Sequence, residues 1–255
     1  MPVSDPADRL QSSVQLIAIL IAAAVMQFVP QVSDYLIGTW MVVGLGGAIF
    51  LTLMLLTDRA QLWFDPLARL HCILLTAYLV HQFEEHGIDI FGRAYALIGY
   101  AQIVIADIGS APGFTLTPLV IYRSNTLFVW LPFLAALWGN RRFIWPGLAA
   151  AGLVLTNAIL HIGIAAWRQE YNPGLVTAIV LFVPISLLYF RFVALRCGIG
   201  WRGIAGGVLF GTAEHGLLVL RIRYNLGPTM PPVALAVIAL APLIANAIYN
   251  RWQRA

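Results

Sequence analysis

The chain of 255 residues is 60% hydrophobic and only 10% charged, with a formal net charge of +4. This composition excludes an ordinary soluble domain and favours a polytopic membrane protein. The basic residues are all arginine and are dispersed over the predicted loops, so they indicate topology and not a nucleic-acid partner. Cys72 and Cys197 have no CxxC spacing, and they predict neither a disulfide framework nor a thiolate metal site.

Eight segments of the chain are apolar over a length of about 20 residues, which is enough to cross a bilayer as a helix. We therefore expect an all-α transmembrane bundle, with residues 1–255 forming a single integral membrane domain after a short solvated N-terminus. The predicted spans are 14–30, 35–57, 67–86, 118–138, 143–167, 173–195, 203–222 and 231–250.

Residues 87–117 are ambiguous, because their apolar core is short and they contain charged residues and several glycines. If this segment does not cross the membrane, ten arginines lie on one side and five on the other. A ninth span would erase that asymmetry. We therefore predict eight spans, a re-entrant or surface segment at 87–117, and both termini in the cytoplasm.

The third predicted span ends in the run His81-Gln-Phe-Glu84-Glu85-His86, which contains four side chains that could bind a metal ion. Ionisable groups at membrane depth are costly unless paired, so they indicate a functional site. Residues three or four positions apart share a face of a helix, and His81 therefore shares a face with Glu84 and Glu85. His86 is less well placed, at the membrane boundary.

Other polar residues occur in three further predicted spans. Asn125 lies early in the fourth span, and Asn157 and His161 share a face of the fifth. Glu214 and His215 are adjacent in the seventh, where Arg221 offers Glu214 an alternative partner. On the predicted topology all of these residues fall in the outer half of the membrane, together with the third-span cluster. This coincidence favours one shared site.

The donor set of imidazoles and carboxylates suits iron, manganese or zinc. Seven such donors are more than one ion needs, so we expect one or two divalent ions, with a dinuclear site favoured and Glu84 as a bridging carboxylate. The expected ligands are His81, Glu84, Glu85, His86, His161, Glu214 and His215. Among these, the expected catalytic groups are Glu84, Glu214 and His215. Residues expected to orient ligands or water are Asn125, Asn157, Tyr171 and Asn172, the last two in a turn that also has a purely structural interpretation.

Four motifs follow one another along the middle of the chain. They are His81-Gln-Phe-Glu84-Glu85, Asn125, Asn157-x-x-x-His161 and Tyr171-Asn-Pro-Gly-Leu-Val-Thr177. In combination they resemble a family of small bacterial membrane proteins named for its HXXEE motif. The resemblance covers about residues 70–190 and implies the bacterial inner membrane and a suspected enzymatic activity without an established reaction. The chain differs from the family pattern at His86, where an aromatic residue is expected, in the insertion 87–117, and in additional helices at 14–57 and 203–250.

The function we expect is that of a metal-dependent membrane oxidoreductase, with iron favoured over zinc or manganese. A hydrophobic or lipid-like substrate, membrane lipids and an electron donor are its expected partners. A zinc-dependent hydrolase of a lipid amide or ester is the second expectation, with one glutamate as general base. Transport of a divalent cation or proton, and metal-free acid catalysis by Glu84 or Glu214, are further alternatives. The sequence shows no transporter-like repeat, and the number of histidines argues against a metal-free site.

Overall fold

The computed structural model describes residues 6–58, 65–109, 116–139, 144–224, 240–245 and 248. The regular elements bounded within these residues are all helical, which confirms the all-α prediction. They are α1 (Pro6–Phe28), α2 (Pro30–Thr57), α3 (Pro66–His86), α4 (Ala96–Asp107), α5 (Pro118–Arg123), α6 (Leu131–Gly139), α7 (Ile144–Arg168), α8 (Leu175–Thr177), α9 (Val183–Cys197) and α10 (Trp201–Tyr224), with π-helical segments at Ser124–Trp130 and Ala178–Phe182.

Local sequence explains several helix starts. Proline occupies the first turn of α2, α3 and α5, where its missing N–H is not needed. Asp65 caps α3 by accepting a hydrogen bond of 2.8 Å from the N–H of Ala68. Thr117 caps α5 by accepting one of 3.3 Å from the N–H of Val120. Side-chain oxygens at these positions satisfy N–H groups that have no partner within the helix.

The two π-helical segments connect α5 to α6 and α8 to α9. Each segment ends two residues before a proline, Pro132 in the first case and Pro184 in the second. Proline has no N–H to donate to the carbonyl four residues earlier, so the regular hydrogen-bond pattern is interrupted and the helix widens. Turns of this kind are frequent at functional sites.

α3 lies in the centre of the bundle and is buried on all sides. It runs parallel to α7, because His71 lies against Gly147 near the first turns and His81 against His161 near the last. The rod formed by α8 and α9 runs the other way, since Thr177 near its start contacts His81. The C-terminal ends of α3 and α7 therefore meet the N-terminal end of α8 at one end of the bundle.

α10 packs along α7 at backbone distance. A Cβ atom added at Gly211 would lie 2.5 Å from the carbonyl oxygen of Gly152, and one added at Gly207 would meet the backbone of Leu148. Small residues at such positions let two helices approach more closely than side chains would allow. Since residue 207 lies beside 148 and 211 beside 152, α10 runs parallel to α7.

Four helices are long and apolar enough to cross a membrane, which supports a membrane protein. They are α2, α7, the rod Leu175–Cys197 and residues Trp201–Leu220 of α10. This is fewer than the eight predicted spans, over the part of the chain that the structure describes. The predicted span 67–86 forms α3, whose polar residues reduce its apolar character, and in α1 only Ile17–Phe28 is an apolar stretch. Most of the predicted span 231–250 lies outside the described residues.

The segment 87–117, as far as it is described, forms a turn followed by α4. At 12 residues, α4 is shorter than a membrane crossing. Its end is joined to the end of α7 by an ion pair between Asp107 and Arg168. Arg223 of α10 donates a hydrogen bond of 2.7 Å to the carbonyl of Ile108. α4 therefore lies over the end of the bundle at which α7 and α10 end.

Candidate metal centre

Three buried donor atoms come together at the end of α3 and α7. Oε1 of Glu85 lies 3.4 Å from Nε2 of His81 and 2.9 Å from Nε2 of His161. His81 and Glu85 are one helical turn apart on α3, while His161 reaches them from α7. The three residues are 0%, 7% and 7% exposed. This is a group that could hold a metal ion.

The spacing of the three atoms fits the ligands of one ion. With metal–ligand bonds of about 2.1 Å, two ligand atoms lie about 3.0 Å apart at a right angle and about 3.4 Å apart at a tetrahedral angle. The observed separations of 2.9 Å and 3.4 Å match these values. Nε2 of His81 is also buried without a hydrogen-bond partner among the described residues, as a ligand atom would be.

The other ring nitrogen of each histidine is held by a side chain of the segment after α7. Nδ1 of His161 lies 2.5 Å from Oδ1 of Asn172, whose amide nitrogen donates to the carbonyl of His161 at 2.9 Å. Nδ1 of His81 lies 2.7 Å from Oγ1 of Thr177. Hydrogen bonds at this position fix the ring of a metal ligand and the tautomer that it adopts. Thr177 was not predicted as a site residue.

Gly174 closes the site with its backbone. Its φ of +92° lies in the left-handed region, which favours glycine. A Cβ atom there would lie 2.8 Å from Cγ of Glu85, 2.8 Å from Cε1 of His81 and 2.9 Å from Cε1 of His161. The segment Tyr171–Gly174 is therefore both a turn and a wall of the site.

Glu84 lies beside this group but faces the start of α8. Its Oε1 accepts hydrogen bonds from the hydroxyl of Tyr171 at 3.0 Å and the N–H of Val176 at 3.4 Å. Its Oε2 accepts from the N–H and the hydroxyl of Thr177, at 2.9 Å and 2.5 Å. The bridging role expected for Glu84 is corrected: the carboxylate caps a helix instead. Neighbouring residues point about 100° apart on a helix, so Glu84 and Glu85 face different partners.

His86 approaches Glu85 from the opposite side. Its Nε2 lies 3.5 Å from Oε2 of Glu85, while the three-donor group uses Oε1. The imidazole ring packs on Trp40 with ring centroids 5.1 Å apart. His86 therefore contacts the second oxygen of Glu85 and lies outside the group of three, which corrects its expected place among the ligands.

Asn125 belongs to a separate buried network. Its Oδ1 accepts a hydrogen bond of 2.6 Å from the hydroxyl of Tyr78, which in turn accepts one of 2.8 Å from Gln82. Trp130 donates to Oε1 of Gln82 at 2.7 Å. Tyr78 and Gln82 flank His81 on α3, so Asn125 supports this helix without contacting the three donors. The sequence signal for this network was Gln82, inside the motif itself.

The remaining predicted residues lie around the site without joining the three donors. Asn157 is one turn before His161, and its Oδ1 is buried without a partner among the described residues. Nδ1 of His215 bonds to the carbonyl of Gly211 at 2.8 Å, one turn beyond the contact with α7. Glu214 is half-buried, and within the described ranges no cation pairs with it. The predicted ligand roles of Glu214 and His215 are not realised in the group of three.

The turn after α3 covers Tyr171. The ring of Phe91 packs edge-on against that of Tyr171 at 4.9 Å, and the guanidinium of Arg93 lies 5.6 Å from the Tyr171 ring centroid. Burial and the hydrogen bond to Glu84 raise the pKa of Tyr171. Burial acts to raise the pKa of Asp89, but hydrogen bonds from the N–H and guanidinium of Arg93 outweigh it, and the pKa is lowered. This ion-paired turn forms a cover over the Tyr171 side of the site.

The comparisons with known proteins agree with the middle of the chain. Residues 72–189 match the model of a family described as "Protein of unknown function with HXXEE motif". The predicted resemblance over about residues 70–190 is thus confirmed. A comparison with curated proteins gives no significant match, and a comparison with solved structures gives none either.

Proposed function

We propose that this chain, whose residues 72–189 belong to the HXXEE-motif family, is an integral-membrane metalloenzyme with one divalent ion held by His81, Glu85 and His161. The observation that carries the proposal is the buried group of three donor atoms at ligand-to-ligand spacing. Three protein ligands leave coordination positions for water or substrate, as catalytic sites do and closed structural sites do not.

The donor geometry favours one ion over two. A dinuclear site needs a bridging carboxylate, and Glu84 is engaged by four hydrogen bonds at the start of α8. Glu214, the other candidate, is not among the three donors brought together. The proposal is therefore a mononuclear site with two histidines and one carboxylate.

Iron-dependent oxidation is the reaction class we favour. Two histidines and one carboxylate with open positions are the ligand set of non-haem iron(II) oxygenases. Bound iron would supply activation of oxygen, and the protein would supply an apolar surface for the substrate. Phe182 forms part of that surface, with its ring 4.2 Å from the ring of His81. A hydrophobic substrate and an electron donor are the partners that follow from this chemistry.

A zinc-dependent hydrolase is the second candidate, because catalytic zinc uses the same two histidines and one glutamate. Such an enzyme also needs a base for the metal-bound water. Glu84 would be the natural base, but hydrogen-bond donors already engage both of its oxygens. This engagement is why we rank hydrolysis below oxidation.

For the membrane arrangement, we propose eight spans in a bacterial inner membrane, with both termini cytoplasmic and the site in the outer half. The parallel course of α3, α7 and α10 supports this proposal, because alternate spans of such a bundle run in the same direction. The ten-to-five division of arginines supports the orientation. Substrate would enter from the lipid or the outer side, beneath the segment 87–117.

Metal analysis tests the proposal. Protein purified with and without oxygen is compared by elemental analysis with His81→Ala and His161→Ala, and with His71→Gln as the control. His71 bonds to Tyr189 at 2.9 Å, in the other half of α3. We expect one iron per chain in the wild type and the control, and loss of iron in the two alanine variants.

Three other outcomes would redirect the assignment. Colourless protein with one zinc per chain and esterase or amidase activity would select the hydrolase. Cation flux into proteoliposomes that is lost in His81→Ala would select transport. Fully active protein without metal would overturn the metal site altogether.

A further inference from the structure

We propose that the two glutamates of the HXXEE motif have different tasks: Glu85 binds the metal ion, whereas Glu84 positions His81 by accepting a hydrogen bond from Thr177. This inference rests on the proposed metal site and adds a role for the remaining carboxylate of the motif. Glu84 is a positioning residue, because it acts on the ion only through Thr177 and His81.

Glu84 is placed for this task by the start of α8. Its four hydrogen bonds come from Tyr171, Val176 and Thr177, and all of them are donated to it. The N–H groups at a helix start carry partial positive charge, which stabilises a carboxylate there. Only 6% of Glu84 is exposed, so water competes weakly for its oxygens. The side chain is therefore fixed as an acceptor.

The Thr177 hydroxyl has one hydrogen, and its acceptors determine the direction of the chain. Oε2 of Glu84 lies 2.5 Å away and the carbonyl of Gly174 3.1 Å away. Both are acceptors, and the charged one binds the hydrogen more strongly. Since its hydrogen is used in this way, Oγ1 of Thr177 can only accept from Nδ1 of His81, 2.7 Å away.

The hydrogen on Nδ1 decides which atom of His81 can bind a metal. A neutral imidazole carries one hydrogen, so Nε2 then has a free electron pair. Nε2 is the atom that faces Oε1 of Glu85 and has no hydrogen-bond partner among the described residues. The chain from Glu84 through Thr177 to His81 thus presents Nε2 to the ion and holds the ring in place.

The second histidine has an independent support, which provides an internal control. Nδ1 of His161 is held by Asn172 and not by Thr177. A change at Thr177 should therefore alter His81 and leave His161 unchanged.

Two substitutions at Thr177 test the inference in the full-length protein. Thr177→Val keeps the shape and the N–H that binds Glu84 but removes the hydroxyl, while Thr177→Ser keeps the hydroxyl. Affinity for Co²⁺, measured by competition with a chelator, should fall about 10- to 100-fold in Thr177→Val and stay near wild type in Thr177→Ser. Glu84→Gln should also weaken binding.

Proton NMR of the Co²⁺-loaded protein provides a readout that general destabilisation would not produce. The wild type should show two shifted, exchangeable ring protons, from His81 and His161. In Thr177→Val the signal from His81 should be lost to solvent exchange while that from His161 persists. Melting of the metal-free variants establishes that they are folded.

The outcomes separate this inference from the proposed function. Wild-type protein that binds no Co²⁺ would overturn the metal site, and the role of Glu84 with it. Wild-type binding together with equal affinity and both NMR signals in Thr177→Val would overturn only the role of Glu84. Equal weakening in Thr177→Val and Thr177→Ser would also overturn it, because the hydroxyl would then not matter.

Discussion

Oε1 of Glu85 and Nε2 of His161 lie 2.9 Å apart, in a contact that joins α3 to α7. The amide of Asn172 donates to the carbonyl of His161, so its oxygen faces Nδ1 and accepts the ring hydrogen. Nε2 and the carboxylate oxygen are then both acceptors and need a cation between them, either a metal ion or a second proton on the ring. A metal ion at this position would hold the two helices together.

Replacement of Glu85 by glutamine should therefore abolish stabilisation by metal. Binding to the folded state alone contributes about 2.7 kcal/mol when the free metal is 100 times Kd. Thermal unfolding in detergent with and without Co²⁺ should show a rise in Tm for the wild type and none for Glu85→Gln. Glu214→Gln should keep the rise, since that carboxylate is not among the three donors. A rise lost only in Glu214→Gln would contradict the assigned ligands.

Gly174→Ala should destroy metal binding. The new Cβ atom would come within 3 Å of Glu85, His81 and His161, and the left-handed φ adds about 1–2 kcal/mol of strain. Gly198→Ala is the matched control, because its φ is +68° and a Cβ there meets nothing within 4 Å. Both variants should lower Tm, but only Gly174→Ala should fail to bind Co²⁺ in the chelator assay. Normal affinity in Gly174→Ala would show that the turn does not form the wall described above.

Added methyl groups should separate α10 from α7. Gly152→Ala and Gly211→Ala place a Cβ against the backbone of the facing helix and should lower Tm. The controls lie on the same two helices: a Cβ at Gly163 or Gly216 meets nothing within 4 Å. Gly163→Ala and Gly216→Ala should leave Tm unchanged or raise it slightly, because alanine favours a helix over glycine. Equal effects at all four positions would contradict the close contact.

Asp89→Asn should loosen the turn after α3. The pKa of Asp89 is lowered, so its contribution is complete above the usual carboxyl pKa and is lost as the pH falls through the lowered one. From about pH 5 to pH 7 the wild-type segment 87–95 should stay protected from hydrogen exchange, after correction for intrinsic rates. Asp89→Asn should exchange faster throughout this range, whereas Asp34→Asn, on the exposed side of α2, should not. Slow exchange in Asp89→Asn would mean that the ion pair does not order the turn.

Much of the site follows from helical spacing in the sequence. The pairs His81 with Glu85 and Asn157 with His161 were predictable, because residues four apart share a face. Spacing could not tell Glu84 from Glu85, since both lie near the face of His81. Their different partners depend on how α3 is rotated against α7 and α8, which is a property of tertiary packing.

Two further residues show where sequence signals were present but weak. Thr177 closes the motif that begins at Tyr171, yet a threonine in an apolar helix is common and suggested no role. On α10, glycines recur every four residues at 203, 207 and 211, and His215 continues that series. The series indicates that His215, and not Glu214, lies on the face toward α7.

α10 lies beyond residues 72–189, yet its glycines contact the backbone of α7 within the matched region. The helix that carries His161 therefore has a groove shaped for a close neighbour. A protein with only the matched region would have to seal that groove with another helix, from elsewhere in its own chain or from a second molecule.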